Sequence, residues 1–224
     1  MTHRDILKRV DHTLLKQDAT WEQIRTLCDD ALHFETASVC IPPSFVKKAA
    51  EYLRGRLPVC TVIGFPNGYN TTAVKVFEAS DAVKNGAAEI DMVINIGWVK
   101  EKRYDKVLRE INAVKDACGH RILKVIVETC LLNEEEKREI CRTVGESDAD
   151  YIKTSTGFST GGATPEDIAL FSEVLKGKKR IKAAGGISGF DDATELVRLG
   201  AGRLGTSRLV EQAKREEKKN NGAV

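Results

Sequence analysis

The chain has 224 residues, of which 42% are hydrophobic and 30% charged, a length that can bury a sizeable core in one domain. Its formal net charge of only +2 argues against a nucleic-acid or membrane surface, so the expected partner is a small molecule. The opening segment MTHRDILKRVDHTLL has no apolar core of signal-peptide length, and no window approaches a membrane span, which favours a cytoplasmic protein.

Metal sites and disulfides are not expected from the cysteine and histidine spacing. The six cysteines include no C-x-x-C pair, and the four histidines include no H-E-x-x-H motif. Several cysteines lie within strand or helix patterns, as buried reduced thiols do. The sequence therefore predicts neither a zinc site nor a disulfide framework.

Short apolar runs alternate along the chain with longer charged segments of helical period. In chain order the eight runs are VDHTLL from Val10, ASVCI from Ala37, VCTVIGF from Val59, EIDMVIN from Glu89, ILKVIVE from Ile122, YIKTS from Tyr151, RIKAAGG from Arg180 and RLGTS from Arg203. Their composition and length are typical of strands, and the segments between them are long enough for helices.

Helix ends are marked between these runs. Thr20 with Gln23 fits a capping box, and Thr164 with Pro165 and Asp167 fits the first turn of a helix. Three glycines fit the left-handed residue that ends a helix, namely Gly86, Gly145 and Gly200.

The alternation predicts a single parallel (β/α)8 TIM barrel over residues 1–224, with a short N-terminal helix. Right-handed crossovers repeated eight times wrap a sheet into a ring. The alternative is an open doubly wound sheet, but no G-x-G-x-x-G follows the first run and the glycine-rich loops come late. The charged residues from about 212 to 224 predict a flexible tail.

Four consecutive runs carry a charge where a buried parallel strand should be apolar. They are Asp91, Lys124, Lys153 and Lys182, and the three lysines are each 29 residues apart, so they occupy equivalent places in their units. One such lysine is ordinarily a solvated strand end. With strands about 4.8 Å apart, however, the set would place three ammonium groups and one carboxylate at matching levels, which destabilises a fold unless function requires it.

Crowded ammonium groups make a particular chemistry available. A neighbouring positive charge favours the free-amine form of a lysine, and the free amine attacks carbonyls to give a Schiff base. Once protonated, the imine withdraws electrons, so a carbon–carbon bond one position further along can break while nearby groups move protons. This is the chemistry of class I aldolases.

Glycine-rich loops follow the last three runs. The segments STG, AAGGIS and GTS lie where barrels often bind phosphate with backbone N–H groups and a helix start. A double glycine alone is more often a tight turn. Two such loops in neighbouring units favour phosphate binding, and hence a phosphorylated aldehyde or sugar as substrate.

At these residues the chain resembles the deoxyribose-phosphate aldolase family. The resemblance rests on DHTLL, SVCIPP, TVIGFPNG, GAAEIDMVINIG, LKVIVET, YIKTSTGFSTGGAT, IKAAGGI and RLGTS, which together span nearly the whole chain. It implies reversible cleavage of 2-deoxy-D-ribose 5-phosphate to D-glyceraldehyde 3-phosphate and acetaldehyde, in deoxyribonucleotide catabolism, with no metal or organic cofactor. It further implies that Lys153 forms the Schiff base, that Lys182 is the neighbouring amine and that Asp91 belongs to the proton relay.

The resemblance also implies a second set of site residues. Asp11 and Lys124 would organise the polar network; Thr13, Cys40 and Thr156 would lie near the substrate; and Gly157, Gly185, Gly186, Gly205 and Ser207 would hold phosphate. Taken by themselves, Cys40 fits ordinary core and Asp11 fits a turn or a pair with Lys124. Family members are usually homodimers, so a homo-oligomer, most simply a dimer, is expected.

Two departures from the family pattern stand out. Arg208 follows Ser207 where many members have a small residue, and it could clamp phosphate or point to solvent. Many members also end in a tail with a terminal tyrosine, whereas the last tyrosine here is Tyr151.

Two other functions remain open from the sequence. One is a different phosphosugar aldolase that keeps the barrel and the Schiff base. The other is a non-catalytic phosphosugar-binding barrel, which has no evident use for crowded lysines.

Overall fold

The computed structural model describes residues 1–221, with side chains through residue 219, and within this range the sheet closes into a barrel of eight parallel strands in sequential order. The strands are β1 Val10–Thr13, β2 Ser38–Ile41, β3 Val59–Ile63, β4 Glu89–Val93, β5 Ile122–Ile126, β6 Tyr151–Lys153, β7 Arg180–Ala184 and β8 Ala201–Thr206. Because β1 pairs with β8, the predicted barrel is confirmed and the open sheet is excluded.

Helices surround the barrel and connect successive strands. They are α1 His3–Leu7, α2 Trp21–His33, α3 Val46–Leu53, α4 Thr72–Lys84, α5 Ile96–Lys100, α6 Tyr104–Cys118, α7 Glu134–Glu146, α8 Pro165–Leu175, α9 Phe190–Arg198 and α10 Arg208–Asn221, with short 3-10 turns at Pro43–Phe45 and Thr129–Leu131. The predicted N-terminal helix is α1. Among the described residues, no helix has the length and apolarity needed to cross a membrane.

Most of the predicted helix ends are where the sequence placed them. Thr20 forms a capping box with Gln23, and the hydroxyl of Thr164 accepts from the backbone of α8. Gly86 and Gly200 follow their helices with φ of +102° and +124°. The prediction for Gly145 was wrong: α7 continues through it to Glu146, and a side chain at Gly145 would meet Leu175 Cδ2 at 3.2 Å, so close helix packing is its role.

The charged C-terminal segment is helical as far as Asn221. Ala213 is buried, and Lys214 of α10 forms an ion pair with Asp30 of α2 at 2.6 Å. Helical packing therefore extends into the segment from residue 212 for which the sequence predicts a flexible tail, and the flexibility of that tail stays a prediction. Residues 222–224 of that predicted tail lie outside the described residues.

The register of the strands determines the levels of the charged side chains. Asp91 is the Cα partner of Lys124, and Lys153 is the partner of Lys182. Lys153 pairs with Ile126, however, two residues beyond Lys124. The expectation that the three lysines stand at matching levels was therefore wrong for Lys124, because barrel closure staggers successive strands and places this side chain one inward layer lower.

Candidate active site

The three predicted lysines converge on one carboxylate inside the barrel. Lys124 Nζ donates to Asp91 Oδ1 at 2.8 Å. The Nζ atoms of Lys153 and Lys182 both donate to the other oxygen, Oδ2, at 2.8 and 2.7 Å. Asp91, Lys124 and Lys182 are fully buried, and Lys153 is 3% exposed. The structure therefore brings together the four charges that the sequence placed on β4 to β7.

Asp11 joins the cluster from β1. Its Oδ2 accepts from Lys182 at 2.5 Å, and its Oδ1 accepts from Ser38 at 2.7 Å. The pairing of Asp11 with Lys124 that the sequence allowed is looser, with 3.7 Å between Nζ and Oδ2. Thr13, two residues along the same strand, donates its hydroxyl to the carbonyl of Asp11 at 2.7 Å.

Sequence reasoning missed two charged members of the cluster, Glu89 and Arg203. Arg203 donates to Asp11 Oδ1 at 2.5 Å and to Glu89 Oε1 at 2.9 Å. Glu89 Oε2 also lies 2.6 Å from Lys124 Nζ. A signal for Glu89 existed, since it stands two residues before Asp91 on β4, and alternate residues of a strand share a face.

Mutual attraction keeps these groups ionised despite their burial. Burial alone would raise the pKa of Asp91, but Lys124, Lys153 and Lys182 hold that pKa well below its ordinary value. Burial would likewise lower the pKa of Lys182, but the carboxylates of Asp11 and Asp91 raise it well above its ordinary value. Lys182 is thus a fixed ammonium group at neutral pH.

A cavity of about 270 Å³ opens above this cluster at the carboxyl ends of the strands. Eight of the predicted site residues line it, namely Thr13, Lys153, Thr156, Gly157, Gly185, Gly186, Gly205 and Ser207. Lys153 reaches the cavity wall, whereas Lys124 and Lys182 are fully buried. Of the three clustered lysines, Lys153 is therefore the one placed to meet a molecule in the cavity.

The glycines of the cavity wall serve different purposes. Gly185 and Gly186 have φ of +76° and +74°, a backbone conformation that favours glycine. A side chain at Gly205 would meet Lys182 Cε at 3.1 Å. Gly205 therefore makes room for the buried lysine, in addition to any contact with a ligand.

The loop after β6 is held by a carboxylate that the sequence did not single out. Thr156 donates its hydroxyl to Glu128 Oε2 at 2.5 Å, and its backbone N–H donates to Oε1 at 3.2 Å. The same hydroxyl accepts from the N–H of Phe158 at 3.0 Å. Glu128 has a left-handed backbone, with φ of +52°, at the carboxyl end of β5. Thr156 therefore shapes the loop as well as the cavity wall.

Cys40 is buried with Cys60 and Val62 beside the charged cluster. The Cys60 thiol donates to Asp91 Oδ1 at 3.2 Å, and burial raises its pKa well above the ordinary value. Cys40, Cys60 and Asp91 bring three potential metal ligands within 4.8 Å of one another. Because Asp91 already accepts from three ammonium groups, local charge opposes a metal cation there.

Basic groups and a helix start stand at the rim of the cavity. Lys16 and the exposed Arg208 line it, and α10 begins at Arg208 directly after Ser207. The first N–H groups of a helix lack intrahelical partners and attract anions. This rim is therefore suited to an anionic group such as phosphate.

A second cavity, of about 390 Å³, adjoins the first and shares Leu15, Lys16 and Phe158 with it. Phe65, from the loop after β3, meets Phe158 edge to face with ring centroids 5.2 Å apart. The entrance to the charged cluster is thus partly apolar.

Comparison with known proteins gives one consistent result. Residues 6–207 match the DeoC/LacD family of aldolases. The chain is 58% identical over 221 residues, 99% of each chain, to a deoxyribose-phosphate aldolase of Streptococcus pyogenes serotype M4. It is also 58% identical over 217 residues, 97% of each chain, to one of Streptococcus agalactiae serotype Ia. The tetrameric structure of deoxyribose phosphate aldolase from Aeropyrum pernix superposes with a TM-score of 0.85 at 30% identity, covering 95% of this chain and 92% of that one.

Proposed function

This chain belongs to the DeoC/LacD family of aldolases, and from that premise we propose that it reversibly cleaves 2-deoxy-D-ribose 5-phosphate to D-glyceraldehyde 3-phosphate and acetaldehyde. Both relatives at 58% identity are named deoxyribose-phosphate aldolase, which supports this substrate. The proposal includes a lysine Schiff base, a role in deoxyribonucleotide catabolism and a cytoplasmic location.

One observation carries the mechanism: Lys153 lines the cavity while its ammonium group shares Asp91 Oδ2 with the buried Lys182. The fixed charge of Lys182 beside Lys153 favours the uncharged amine that a nucleophile requires. We therefore assign the covalent step to Lys153 and a supporting electrostatic role to Lys182.

The reaction proceeds in balanced steps from the open-chain sugar. The Lys153 amine adds to the C1 aldehyde, and the adduct loses water to form a protonated imine. A base takes the C3 hydroxyl proton, the C2–C3 bond breaks, and its electron pair forms an enamine as glyceraldehyde 3-phosphate leaves. Protonation of the enamine carbon and hydrolysis of the imine release acetaldehyde and restore Lys153.

Asp91 and Lys182 form the relay for these protons in the proposal. Asp91 Oδ2 accepts from both Lys153 and Lys182, so it can take a proton from Lys153 and return it while the Lys182 ammonium group keeps its own proton and stabilises the carboxylate. Asp11 and Lys124 hold the ends of this relay, since Asp11 binds Lys182 and Lys124 binds Asp91.

The remaining site residues are assigned to substrate binding. Thr13 and Thr156 on the cavity wall would contact sugar hydroxyls, and Cys40 would form part of the floor of the site. Phosphate would lie among the backbone N–H groups of the glycine loops and the start of α10, with Arg208 available as a second cation beside Lys16. The glycines and serine assigned to phosphate are Gly157, Gly185, Gly186, Gly205 and Ser207.

Nothing in this mechanism requires a metal or an organic cofactor, because the imine itself accepts the electron pair. We also propose that the chain forms a homo-oligomer, most simply a dimer. The tetramer described for the Aeropyrum pernix relative supports self-association, though not that number of subunits for this chain.

The test is to trap the imine and locate it. The protein is incubated with acetaldehyde, reduced with borohydride and digested, and mass spectrometry is used to find an added ethyl group on the peptide that contains YIKTSTGF. We expect modification of Lys153, dependent on reductant, and none in Lys153→Met. Cleavage of 2-deoxy-D-ribose 5-phosphate is assayed beside other phosphosugars to fix the substrate.

Two further outcomes would change the proposal. An ethyl group on Lys182 would exchange the roles of the two lysines. No adduct on folded protein would contradict the Schiff base.

In Lys182→Leu we expect the rate at neutral pH to fall by at least about tenfold, because the fixed charge beside the amine is gone; near-normal turnover would contradict the role of Lys182.

A further inference from the structure

The charged side chains inside the barrel form a closed ring in which the sign of the charge alternates. Starting from Arg203, its guanidinium contacts Glu89 at 2.9 Å, and Glu89 contacts Lys124 at 2.6 Å. Lys124 contacts Asp91 at 2.8 Å, which contacts Lys182 at 2.7 Å. Asp11 closes the ring, at 2.5 Å from both Lys182 and Arg203.

The ring as a whole carries no net charge, and Lys153 is not one of its members. Of the described residues, three ring members are cations and three are anions, and each cation has a short contact with two anions. Lys153 contacts only a ring oxygen that Lys182 already uses, Oδ2 of Asp91. When Lys153 is protonated the buried cluster therefore carries a net positive charge, and when the amine is neutral the cluster carries none.

We propose that Glu89 and Arg203, which do not line the cavity, are positioning residues that complete this ring, fix Asp11 and Lys124, and set the charge that Lys153 experiences. The inference rests on the proposed Schiff base at Lys153. Glu89 holds Lys124 against Asp91 from below, and Arg203 holds Asp11 so that its second oxygen faces Lys182. Removing the charge of either residue changes the electrostatic potential at Lys153 through a chain of direct contacts among buried side chains.

The sign of the effect follows from which charge is removed. Glu89→Gln leaves the ring with a net positive charge, which favours the neutral amine of Lys153 and lets imine form at lower pH. Arg203→Met leaves the ring with a net negative charge, which favours the ammonium form and requires higher pH. A purely structural role would weaken both variants without moving the pH midpoint in opposite directions.

Other titratable groups face this interior and are unchanged by the two substitutions. By element they are Cys40 of β2, Cys60 of β3, Tyr151 of β6 and, beyond the end of β5, Glu128, in addition to the ring members themselves. The Tyr151 ring centroid lies 5.8 Å from the guanidinium carbon of Arg203 and 4.2 Å from that of Arg180. None of these groups has to change its contacts for the ring to carry the net charge expected in each variant.

The experiment measures the rate of borohydride trapping of acetaldehyde on Lys153 as a function of pH. We expect the midpoint to fall by about one pH unit in Glu89→Gln and to rise by about one unit in Arg203→Met. The double variant Glu89→Gln/Arg203→Met, with a balanced ring, should return to the wild-type midpoint. Shifts in the same direction, or none in either single variant, would overturn the inference.

A matched control comes from a second buried ion pair outside the ring, Lys75 with Glu110 at 2.8 Å. Glu110→Gln also removes one buried carboxylate, and it should leave the pH midpoint unchanged. A shift in this control as large as that in Glu89→Gln would show that the effect is not specific to the ring.

Two further variants keep the inference testable if the protein with Glu89→Gln or Arg203→Met does not fold. Glu89→Asp and Arg203→Lys keep their charges, so we expect the wild-type midpoint with a lower maximal rate, because the shorter or simpler head group misplaces its partners. A moved midpoint in either variant would overturn the inference. Failure of the wild type to trap acetaldehyde at any pH would instead contradict the Schiff base itself.

Discussion

Among individual residues, two lysines at paired positions on neighbouring strands differ in their exposure and in their carboxylate partners. Lys153 and Lys182 are Cα partners on neighbouring strands and share one oxygen of Asp91. Lys182 contacts a second carboxylate, Asp11, and is fully buried, whereas Lys153 lines the cavity. The difference in access and in the number of carboxylate partners, not residue type, separates the Lys182 ammonium group from Lys153, the proposed nucleophile.

Gly205 gives a prediction that concerns a single residue. A methyl group there would stand 3.1 Å from Lys182 Cε and 3.0 Å from Ala184 Cβ, which is tighter than ordinary contact. We expect Gly205→Ala to keep the fold but lower kcat by about tenfold or more, because Lys182 must shift from Asp91 and Asp11.

The matched control for Gly205→Ala is Gly202→Ala on the same strand. A methyl group at Gly202 would meet nothing nearer than Ile181 O at 3.9 Å. Steady-state kinetics with far-UV circular dichroism separates the two variants. Equal activity in both would show that Lys182 tolerates displacement.

Among the helices, α4 and α6 anchor the loop that carries Phe65 to the cavity. Lys75 of α4 donates to the carbonyl of Gly68 at 2.6 Å and to Glu110 Oε2 of α6 at 2.8 Å. The other oxygen of Glu110 accepts from Thr72 at 3.1 Å. The side chains of Lys75 and Glu110 are both fully buried, so neither charge is exposed to bulk solvent.

Breaking this pair should destabilise the whole domain. We expect Glu110→Gln to lower the free energy of unfolding by about 3–5 kcal/mol, because it leaves the Lys75 ammonium group buried without its carboxylate. Urea unfolding at neutral pH measures the change.

Asp105→Asn on the same helix is the control for Glu110→Gln. It removes an exposed pair with Arg109, in which the Arg109 and Asp105 side chains are 68% and 61% exposed, and should cause no measurable change in stability. A similar, small effect from both substitutions would refute the anchoring role of Lys75 and Glu110.

In the molecule as a whole, ionisable groups are buried on both faces of the sheet that forms the barrel. The charged ring occupies the interior, while His12 of β1 is 3% exposed, with Asp30 and Lys214 among the charges that act on it. Burial lowers the pKa of His12 from 6.5 to about 4. Protonation of groups on either face is therefore linked to the folding equilibrium of the entire barrel.

His12 predicts a loss of stability in mild acid. Between pH 6.5 and about 4 the unfolded chain binds a proton at His12 and the folded chain does not, so the free energy of unfolding falls as pH falls. By pH 4 the loss from this group reaches about 3 kcal/mol. Urea titrations from pH 7.5 to 4 should show a correspondingly shallower decline in His12→Gln; parallel declines would exclude His12 as the source.

Exposed apolar side chains on and just before α4 predict where copies of the chain would meet in the proposed oligomer. Tyr69 and Phe77 are 71% and 72% exposed, and Val74, one turn before Phe77 on α4, is 45% exposed. Patches of this kind mark protein interfaces. If the patch forms the dimer, Phe77→Glu should shift sedimentation toward the monomer, whereas Leu131→Glu, at an exposed apolar residue elsewhere, should not; an unchanged oligomer in Phe77→Glu would place the interface on another surface.

The amino-acid pattern alone was enough to predict the barrel and the four charged residues at the centre of the candidate site. Eight apolar runs separated by helical segments allow few topologies. The charges of Asp91, Lys124, Lys153 and Lys182 within apolar runs indicate positions that face the barrel interior. The period of two along a strand is a local property, so it can be read from the chain. Phosphate binding by the glycine loops was predicted from their place after the last three runs, whereas the individual residues assigned to it came from the resemblance.

The pairing of the charges, in contrast, depends on the tertiary structure. Regular spacing along the chain suggested one level for all three lysines, but the stagger of a closed barrel places Lys124 one layer lower. Arg203 and Glu89 meet across 114 residues of sequence. Such a contact depends on the register of distant strands, which local periodicity does not encode, and this is why the sequence identified the lysines but not the ring that balances them.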